Sequence, residues 1–232
     1  MDRRTFEESV YASWDLTEKL GLALTFSNGG SLEVNDEMRK LILNHELSYS
    51  ELYRKLLSQS HYNFLCSDYS FLQFTWIDAD HSRFAYYPNP HAVQTPERRE
   101  RLKKRQELLA AGMLEMEDFL ALMGSEELSE SIPPIRYDCA PSQHKPLKHP
   151  ASHMHIGHNS QSRWPLDKIL TPKAFTALIS KLYYSTEWGK YDDTTSPAGN
   201  TLEEELAVEK ARCWSLGPDK FSEVERNSFH VS

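Results

Sequence analysis

Histidine is concentrated in one short stretch of this chain. Half of its ten histidines lie within fifteen residues, at His144, His149, His153, His155 and His158. Imidazole titrates near neutral pH and binds transition metals. Such density is therefore typical of a metal site, of acid–base catalysis, or of a polar strand whose rings have structural partners. The stretch is the strongest candidate for a functional site in the sequence.

Two of these histidines have the spacing of side chains on one face of a strand. His153 and His155 are two residues apart in a segment with strand character, so their rings are expected to project from the same side. His149 or His158 can join them from the flanking turns. Two imidazoles on one strand form a two-point chelate for a divalent metal, and a third ligand must come from elsewhere. Asp138, on the preceding predicted strand, is the candidate third ligand if the two strands pair.

The same residues are suited to metal-free chemistry on a phosphodiester. One histidine would act as base and the other as acid, while Arg163 or Arg136 would hold the phosphate. A structural interpretation is equally open, in which Ser152 and His153 hold a turn and His155 packs beside aromatic residues. The sequence contains no HExxH motif and no closed Cys/His spacing that would favour the metal.

The elements that position these residues are predicted from hydrophobic periodicity. The chain is interpreted as a single domain over 1–232, with a helical N-terminal part over 1–60, an α+β core over 61–190, and a C-terminal loop and helix over 191–232. Strands are predicted for four segments rich in aromatic and β-favouring residues, at 71–78, 83–90, 135–140 and 152–157. A helix is predicted over 172–185, because Thr171 and Pro172 form a helix start and apolar residues follow at helical spacing. The predicted fold class is α+β: an antiparallel sheet of four to five strands, with helices packed on one face and at both ends.

Composition limits the class of protein. The chain has 232 residues, 39% hydrophobic residues and a net charge of −8, which is typical of a soluble globular protein without a global signal for nucleic acid. No run approaches the ~18–20 apolar residues that span a bilayer, and the first residues lack the apolar core of a signal peptide. Cys66, Cys139 and Cys213 are far apart, as expected in a reducing compartment. A cytoplasmic location without membrane association is predicted.

Two partner classes are suggested by other segments. The run RRERLKKR at 98–105 carries six basic residues on a predicted helix, and it could contact a nucleic-acid backbone. A solvated helix face is the interpretation that we favour, because such runs are usually exposed. The aromatic-rich sheet could instead bind a partner protein.

Two functional hypotheses therefore stand side by side. The first is a histidine-cluster enzyme that acts on a phosphodiester, as a nuclease or a toxin-like effector, with His153, His155 and Arg163 as catalytic residues. In this hypothesis a divalent metal would be held by His153, His155 and Asp138. The second is a non-catalytic protein-interaction subunit with structural histidines.

Several motifs together resemble a known bacterial family. They are YYPNP at 86–90, IRYD at 135–138, HPASHMHIG at 149–157, LTPKAF at 170–175 and LYY at 182–184. This combination is similar to the family catalogued as domain of unknown function 2290, whose pattern is His-Pro-x-Ser-His-x-x-x-Gly followed by a Pro-x-x-Phe helix that ends in Phe-Tyr or Tyr-Tyr. The match covers about residues 60 to 185, and Trp164-Pro165 stands where an Ile-Pro-like pair is expected. The resemblance implies a bacterial origin and no particular activity.

Overall fold

The computed structural model describes residues 1–90, 96–124, 133–192 and 201–227, without the side chains of 96–99, 124 and 192. The helices are Arg3–Lys19 (α1), Asp36–Ile42 (α2), Tyr49–Ser58 (α3), Pro96–Ala110 (α4), Met116–Gly124 (α5), Pro172–Tyr183 (α6), Ser185–Asp192 (α7), Leu202–Arg212 (α8) and Glu223–Asn227 (α9). The strands are Ala23–Phe26 (β1), Phe64–Cys66 (β2), Phe71–Trp76 (β3), Ser82–Tyr87 (β4), Ile135–Cys139 (β5), Ser152–Ile156 (β6), Trp164–Pro165 (β7), Lys168–Ile169 (β8) and Trp214–Ser215 (β9).

The helices begin where the sequence carries capping residues. The Ser48 side chain accepts a hydrogen bond from the backbone of Glu51, whose carboxylate accepts one from the Ser48 backbone, and this capping box opens α3. The Thr171 side chain accepts a hydrogen bond from the backbone of Ala174 and caps α6, and Pro172 occupies the first turn of that helix, where a missing N–H costs nothing. Gly112, with a φ of 67°, lies between α4 and α5 and ends the first of them, because this backbone conformation favours glycine.

The main sheet of the described residues is an antiparallel meander with the strand order β1 to β7. The prediction of an α+β fold is confirmed, and the four predicted strands are present with slightly shorter bounds as β3, β4, β5 and β6. The prediction of four to five strands is wrong, because the sheet has seven. The missed strands β1, β2 and β7 have four, three and two residues. Such short segments show too little alternation to be recognised from sequence. Strands β8 and β9 form a separate pair.

One face of the sheet is covered by the first and the sixth helix. Phe6 and Val10 of α1 and Phe175 of α6 pack against Phe74 and Phe84 of the sheet. These five side chains are completely buried. Their apolar surface accounts for the tight attachment of the two helices, since apolar burial is the main stabilising contribution to folding.

The opposite face carries a second set of helices on part of its surface. Tyr53 and Leu56 of α3 and Phe119 of α5 contact the layer that contains Phe71 and Tyr87. The prediction that helices pack on one face is therefore wrong. Helices α2, α3 and α5 have apolar stripes of their own, and these stripes are buried on the second face.

That second face changes character between β4 and β6. Cross-strand partners in an antiparallel sheet lie on the same face, and the rows of partners here lead from Ala85 to Arg136 and His155, and from Arg83 to Asp138 and His153. Apolar packing thus gives way to charged and histidine side chains on one continuous surface. We call this polar part of the sheet, formed by the last five of these residues, the charged half.

The basic helix is largely exposed, as predicted, over the residues whose side chains the structure describes. Lys103 and Lys104 of α4 are exposed, whereas Leu102 packs against the second-face core. The side chains of 98 and 99 lie outside the described residues.

Within the described ranges, no helix combines the length and the apolar character needed to cross a bilayer. The three cysteines are buried and unpaired.

Candidate functional site

The register of β4, β5 and β6 brings the sequence-predicted residues together. Asp138 stands opposite His153 on one side and opposite Arg83 on the other, while Arg136 stands opposite His155. His153 and His155 project from the same face, as their spacing predicts, and both are at least 94% buried. Asp138 lies beside them, as expected from the pairing of the two strands.

Each histidine is oriented by a backbone carbonyl. The Nδ1 of His153 lies 2.9 Å from the oxygen of Pro150, and the Nδ1 of His155 lies 3.0 Å from the oxygen of Ser160. A carbonyl oxygen can only accept, so both Nδ1 atoms carry the hydrogen and donate it. When the rings are neutral, the lone pair is on Nε2. This arrangement is common for histidines that bind a metal or accept a proton.

Both Nε2 atoms point towards the carboxylate of Asp138. Its Oδ2 lies 3.4 Å from Nε2 of His155 and 4.0 Å from Nε2 of His153. Asp138, His153 and His155 each offer one possible ligand atom, and these three atoms lie within 4.8 Å of one another. Acceptor atoms gathered in this way repel one another unless a proton or a metal ion lies among them.

Asp138 is held in the ionised form by arginines. Arg83 Nε donates to its Oδ1 at 2.6 Å, and Arg136 Nε donates to its Oδ2 at 2.8 Å. Burial alone would raise the pKa of this carboxyl, but contacts with His155, Arg83 and Arg136 outweigh that effect and lower it well below its usual range. Asp138 is therefore a carboxylate in the folded protein at neutral pH.

His153 is neutral at physiological pH. Burial lowers its pKa from 6.5 to about 4, and the neighbouring His155 acts in the same direction, while Asp138 opposes the shift. A neutral imidazole with Nδ1 protonated has one available electron pair, on Nε2, and that pair faces the site. His153 can therefore accept a proton or bind a metal.

These groups open into a cavity of about 250 Å³, which we call the histidine cavity. Four arginines line it, at Arg39, Arg83, Arg136 and Arg163. Among its described lining residues Asp138 is the single carboxylate, and two of the four arginines already bind it. The cavity therefore has an excess of positive charge and is suited to an anion.

Two buried polar atoms of the cavity lack a hydrogen-bond partner within the described residues. They are the Nε of Arg163 and the Nδ1 of His149. The ring of His149 lies against that of His153, with centroids 5.0 Å apart, and the ring of His155 follows at 4.9 Å from His153. Unpaired buried polar atoms are costly, so their presence in a cavity indicates a site for an anionic or polar ligand.

The other histidines of the stretch do not join this row. His144 pairs with Glu225 of α9 at 3.1 Å. His158 donates from Nε2 to the backbone oxygen of Leu47 at 2.8 Å. These two rings connect loops to their neighbours, and they show that the density of histidine in the stretch has more than one cause.

Sequence reasoning missed Arg83 and Arg39 as members of the site. Arg83 is separated from Asp138 by 55 positions, which include α4 and α5. The signal that could have found it is a charged residue at an inward position of a strand, in line with Ala85 and Tyr87 on the same face. Arg39 lies on α2 and reaches the cavity only through the tertiary packing of that helix, so no local pattern marks it.

Comparison with known proteins identifies a family and no activity. A family model described as "Uncharacterized conserved protein (DUF2290)" matches residues 23–232. Neither a comparison with curated proteins nor one with solved structures finds a match. The family match extends over both the cavity residues and the strands that carry them, and the chain therefore belongs to the DUF2290 family.

Proposed function

We propose that this protein is an enzyme that cleaves a phosphodiester in the histidine cavity. The observation that carries the proposal is the combination of two imidazole Nε2 atoms on the Asp138 carboxylate with four arginines around them. This combination suits phosphodiester cleavage, because a base and an acid can act next to fixed positive charge that stabilises the phosphorane-like transition state.

Each residue has a distinct role in the proposed reaction. Arg163 and Arg136 hold the non-bridging phosphate oxygens, since guanidinium groups recognise phosphate with two N–H donors. His153 removes a proton from the attacking water, whose oxygen forms the new bond to phosphorus. His155, doubly protonated at the start of the step, gives its Nε2 proton to the leaving oxygen as the bond between that oxygen and phosphorus breaks, and it is then neutral. Asp138 orients His155 and holds Arg83 and Arg136 in place.

A divalent metal held by Asp138, His153 and His155 is the alternative that one specific observation favours. Their ligand atoms lie within 4.8 Å of one another. Each ring also donates a hydrogen bond from its other nitrogen to a backbone carbonyl, as metal-binding histidines usually do. The two arginines on Asp138 oppose this alternative because they occupy the carboxylate and repel a dication. We therefore favour acid–base chemistry without a metal ligand at these residues.

The proposal is tested by alanine substitution of the two histidines with a matched control. Hydrolysis of bis(4-nitrophenyl) phosphate, a general phosphodiester probe, is expected to fall at least about 100-fold in His153→Ala and in His155→Ala. His61→Ala is the control, because its ring is half-buried and does not line the histidine cavity. Melting temperatures of the two test variants should stay close to that of the wild type.

Two results would overturn the proposal. If His153→Ala and His155→Ala mainly lower stability, and the wild type neither cleaves the probe nor binds inorganic phosphate, then the histidines are structural. The non-catalytic protein-interaction subunit would then be the better hypothesis. Elemental analysis of the purified protein, together with activity measured after chelation, separates the metal-free mechanism from the metal-dependent one.

A further inference from the structure

A second cavity adjoins the histidine cavity. It has a volume of about 230 Å³ and shares three lining residues with the histidine cavity, at Arg136, His155 and Arg163. The shared residues are those to which the proposed function assigns the phosphate and the proton transfer. A single ligand could therefore extend from one cavity into the other. We call the second cavity the side cavity.

The side cavity lies at the boundary between the charged half and the apolar part of the same sheet face. We call that apolar part, which α2, α3 and α5 cover, the helix-covered half. Its apolar wall includes Ile42, Leu52 and Ala85, which belong to the helix-covered half. Its volume is below the ~300–1,000 Å³ typical of pockets that take drug-sized ligands. One flat ring system with a short attachment fits a space of this kind better than a long chain or a large polar group.

Tyr87 supplies an unused polar group to this wall. Its side chain stacks on Phe71, and the residue is 7% exposed. Within the described ranges its hydroxyl makes no hydrogen bond. Burial raises the pKa of this phenol to about 12, so it remains a donor at physiological pH. The hydroxyl can therefore donate a hydrogen bond to a polar ligand in the side cavity.

The rim of the side cavity is polar and comes from the turn after β6. Ser160 and Gln161 line it, and His45 faces them from the turn after α2. A side-chain amide offers both a donor and an acceptor, which is the pattern displayed by the edges of nucleobases. An apolar wall with an aromatic ring, a polar rim and an adjacent arginine pair together match a base, its sugar and its phosphate.

We propose that the side cavity binds the nucleoside part of the substrate, so that the phosphodiester cleaved by this protein is that of a nucleotide. The inference rests on the proposed function, because the phosphate must occupy the arginines of the histidine cavity. It adds the substrate class, and it assigns binding of the nucleoside to the wall that contains Ala85 and Tyr87.

The test compares inorganic phosphate with nucleoside 5′-monophosphates by isothermal titration calorimetry. Phosphate occupies the histidine cavity alone, whereas the nucleotide fills both cavities. For the wild type, at least one nucleotide should bind more tightly than phosphate by a factor of about 5 or more, as expected for base stacking.

A variant at the mouth of the side cavity provides the second arm. Leu43 lines the cavity and is 52% exposed, so Leu43→Trp should obstruct the mouth without disturbing the core. Leu182→Trp is the matched control, because Leu182 is 56% exposed and lines neither cavity. We expect Leu43→Trp to reduce nucleotide affinity to that of phosphate and to leave phosphate affinity unchanged, while Leu182→Trp changes neither.

The outcomes separate this inference from the proposed function. If phosphate binds and every nucleotide binds no more tightly, or if Leu43→Trp leaves nucleotide binding intact, the side cavity is not a nucleoside site although the phosphodiester proposal stands. If phosphate itself does not bind to the wild type, the anion site is absent and both proposals are wrong.

Discussion

The two halves of the same sheet face bury side chains of opposite character. In the helix-covered half, Phe71 and Tyr87 pack with Tyr53 and Leu56 in a layer of buried aromatic and aliphatic side chains. In the charged half, on the next strands of the same sheet, Asp138 and the histidines are also buried but have polar partners. The backbone geometry is shared, so the difference lies entirely in the side chains.

Burial of side chains stabilises the fold in the helix-covered half and costs free energy in the charged half. Burial of apolar surface stabilises the fold by roughly 25 cal/mol per Å². Removal of a carboxylate and imidazoles from water costs free energy that ion pairs recover only in part, and an apolar replacement is often as stable or more stable. The charged half is therefore not explained by stability, which is the physical reason to assign it a function.

The largest expected effect lies in the helix-covered half. Phe71 is completely buried and its ring contacts those of Tyr53, Tyr62 and Tyr87. Phe71→Ala should lower the free energy of unfolding by about 3–5 kcal/mol, because it leaves a cavity as well as losing buried apolar surface. Urea denaturation measures the change. A loss below about 1 kcal/mol would show that this half is not the stabilising layer described here.

Asp138→Asn should give the largest stability loss in the charged half. The substitution leaves Arg83 and Arg136 without their carboxylate, so the free energy of unfolding should fall by about 2–3 kcal/mol, a figure reduced because both arginines are partly exposed. Asp80→Asn, in the exposed turn between β3 and β4, is the control and should stay within about 0.5 kcal/mol of the wild type. Equal stability of the two variants would contradict the ion-pair network.

Local sequence patterns predicted only some of the residues that form the charged half. The two-residue spacing of His153 and His155 and the strand character of 135–140 were enough to place the histidines and Asp138 on one surface. Local patterns did not reveal that Arg83 belongs there, because its pairing with Asp138 depends on strand order across the segment that contains α4 and α5. Strand order and the packing of helices on both faces are tertiary properties, whereas alternation along a strand is local.

The pH dependence of stability should distinguish the two halves. The pKa of folded His153 is lowered from 6.5 to about 4, so between these values the unfolded chain binds a proton that the folded chain does not. This contribution to stability is complete above pH 6.5 and is lost as the pH falls towards 4, on the order of 1–3 kcal/mol. The lowered pKa values of His61 and His149 act in the same direction.

This pH dependence is tested by measuring the free energy of unfolding at several pH values between 7 and 4, the range set by the His153 pKa. His153→Asn should have a smaller slope than the wild type, since it lacks one of the protons taken up on unfolding. Leu52→Ala, in the helix-covered half, should be less stable at every pH but should keep the wild-type slope. If His153→Asn also keeps that slope, His153 is protonated in the folded state or exposed to solvent.

The smallest effect on stability is expected at the basic helix α4, because its charged side chains are exposed and do not form a buried cluster. Lys103 and Lys104 are exposed, so Lys103→Gln and Lys104→Gln should each change the free energy of unfolding by less than about 0.5 kcal/mol. If the arginines of the histidine cavity bind the phosphodiester, these substitutions should also leave the affinity for a single-stranded oligonucleotide and its salt dependence unchanged. Arg163→Gln should instead reduce the slope of log affinity against log salt by about 0.7, the value for one lost phosphate contact. A reduced slope in the lysine variants and an unchanged slope in Arg163→Gln would move the nucleic-acid contact from the histidine cavity to α4.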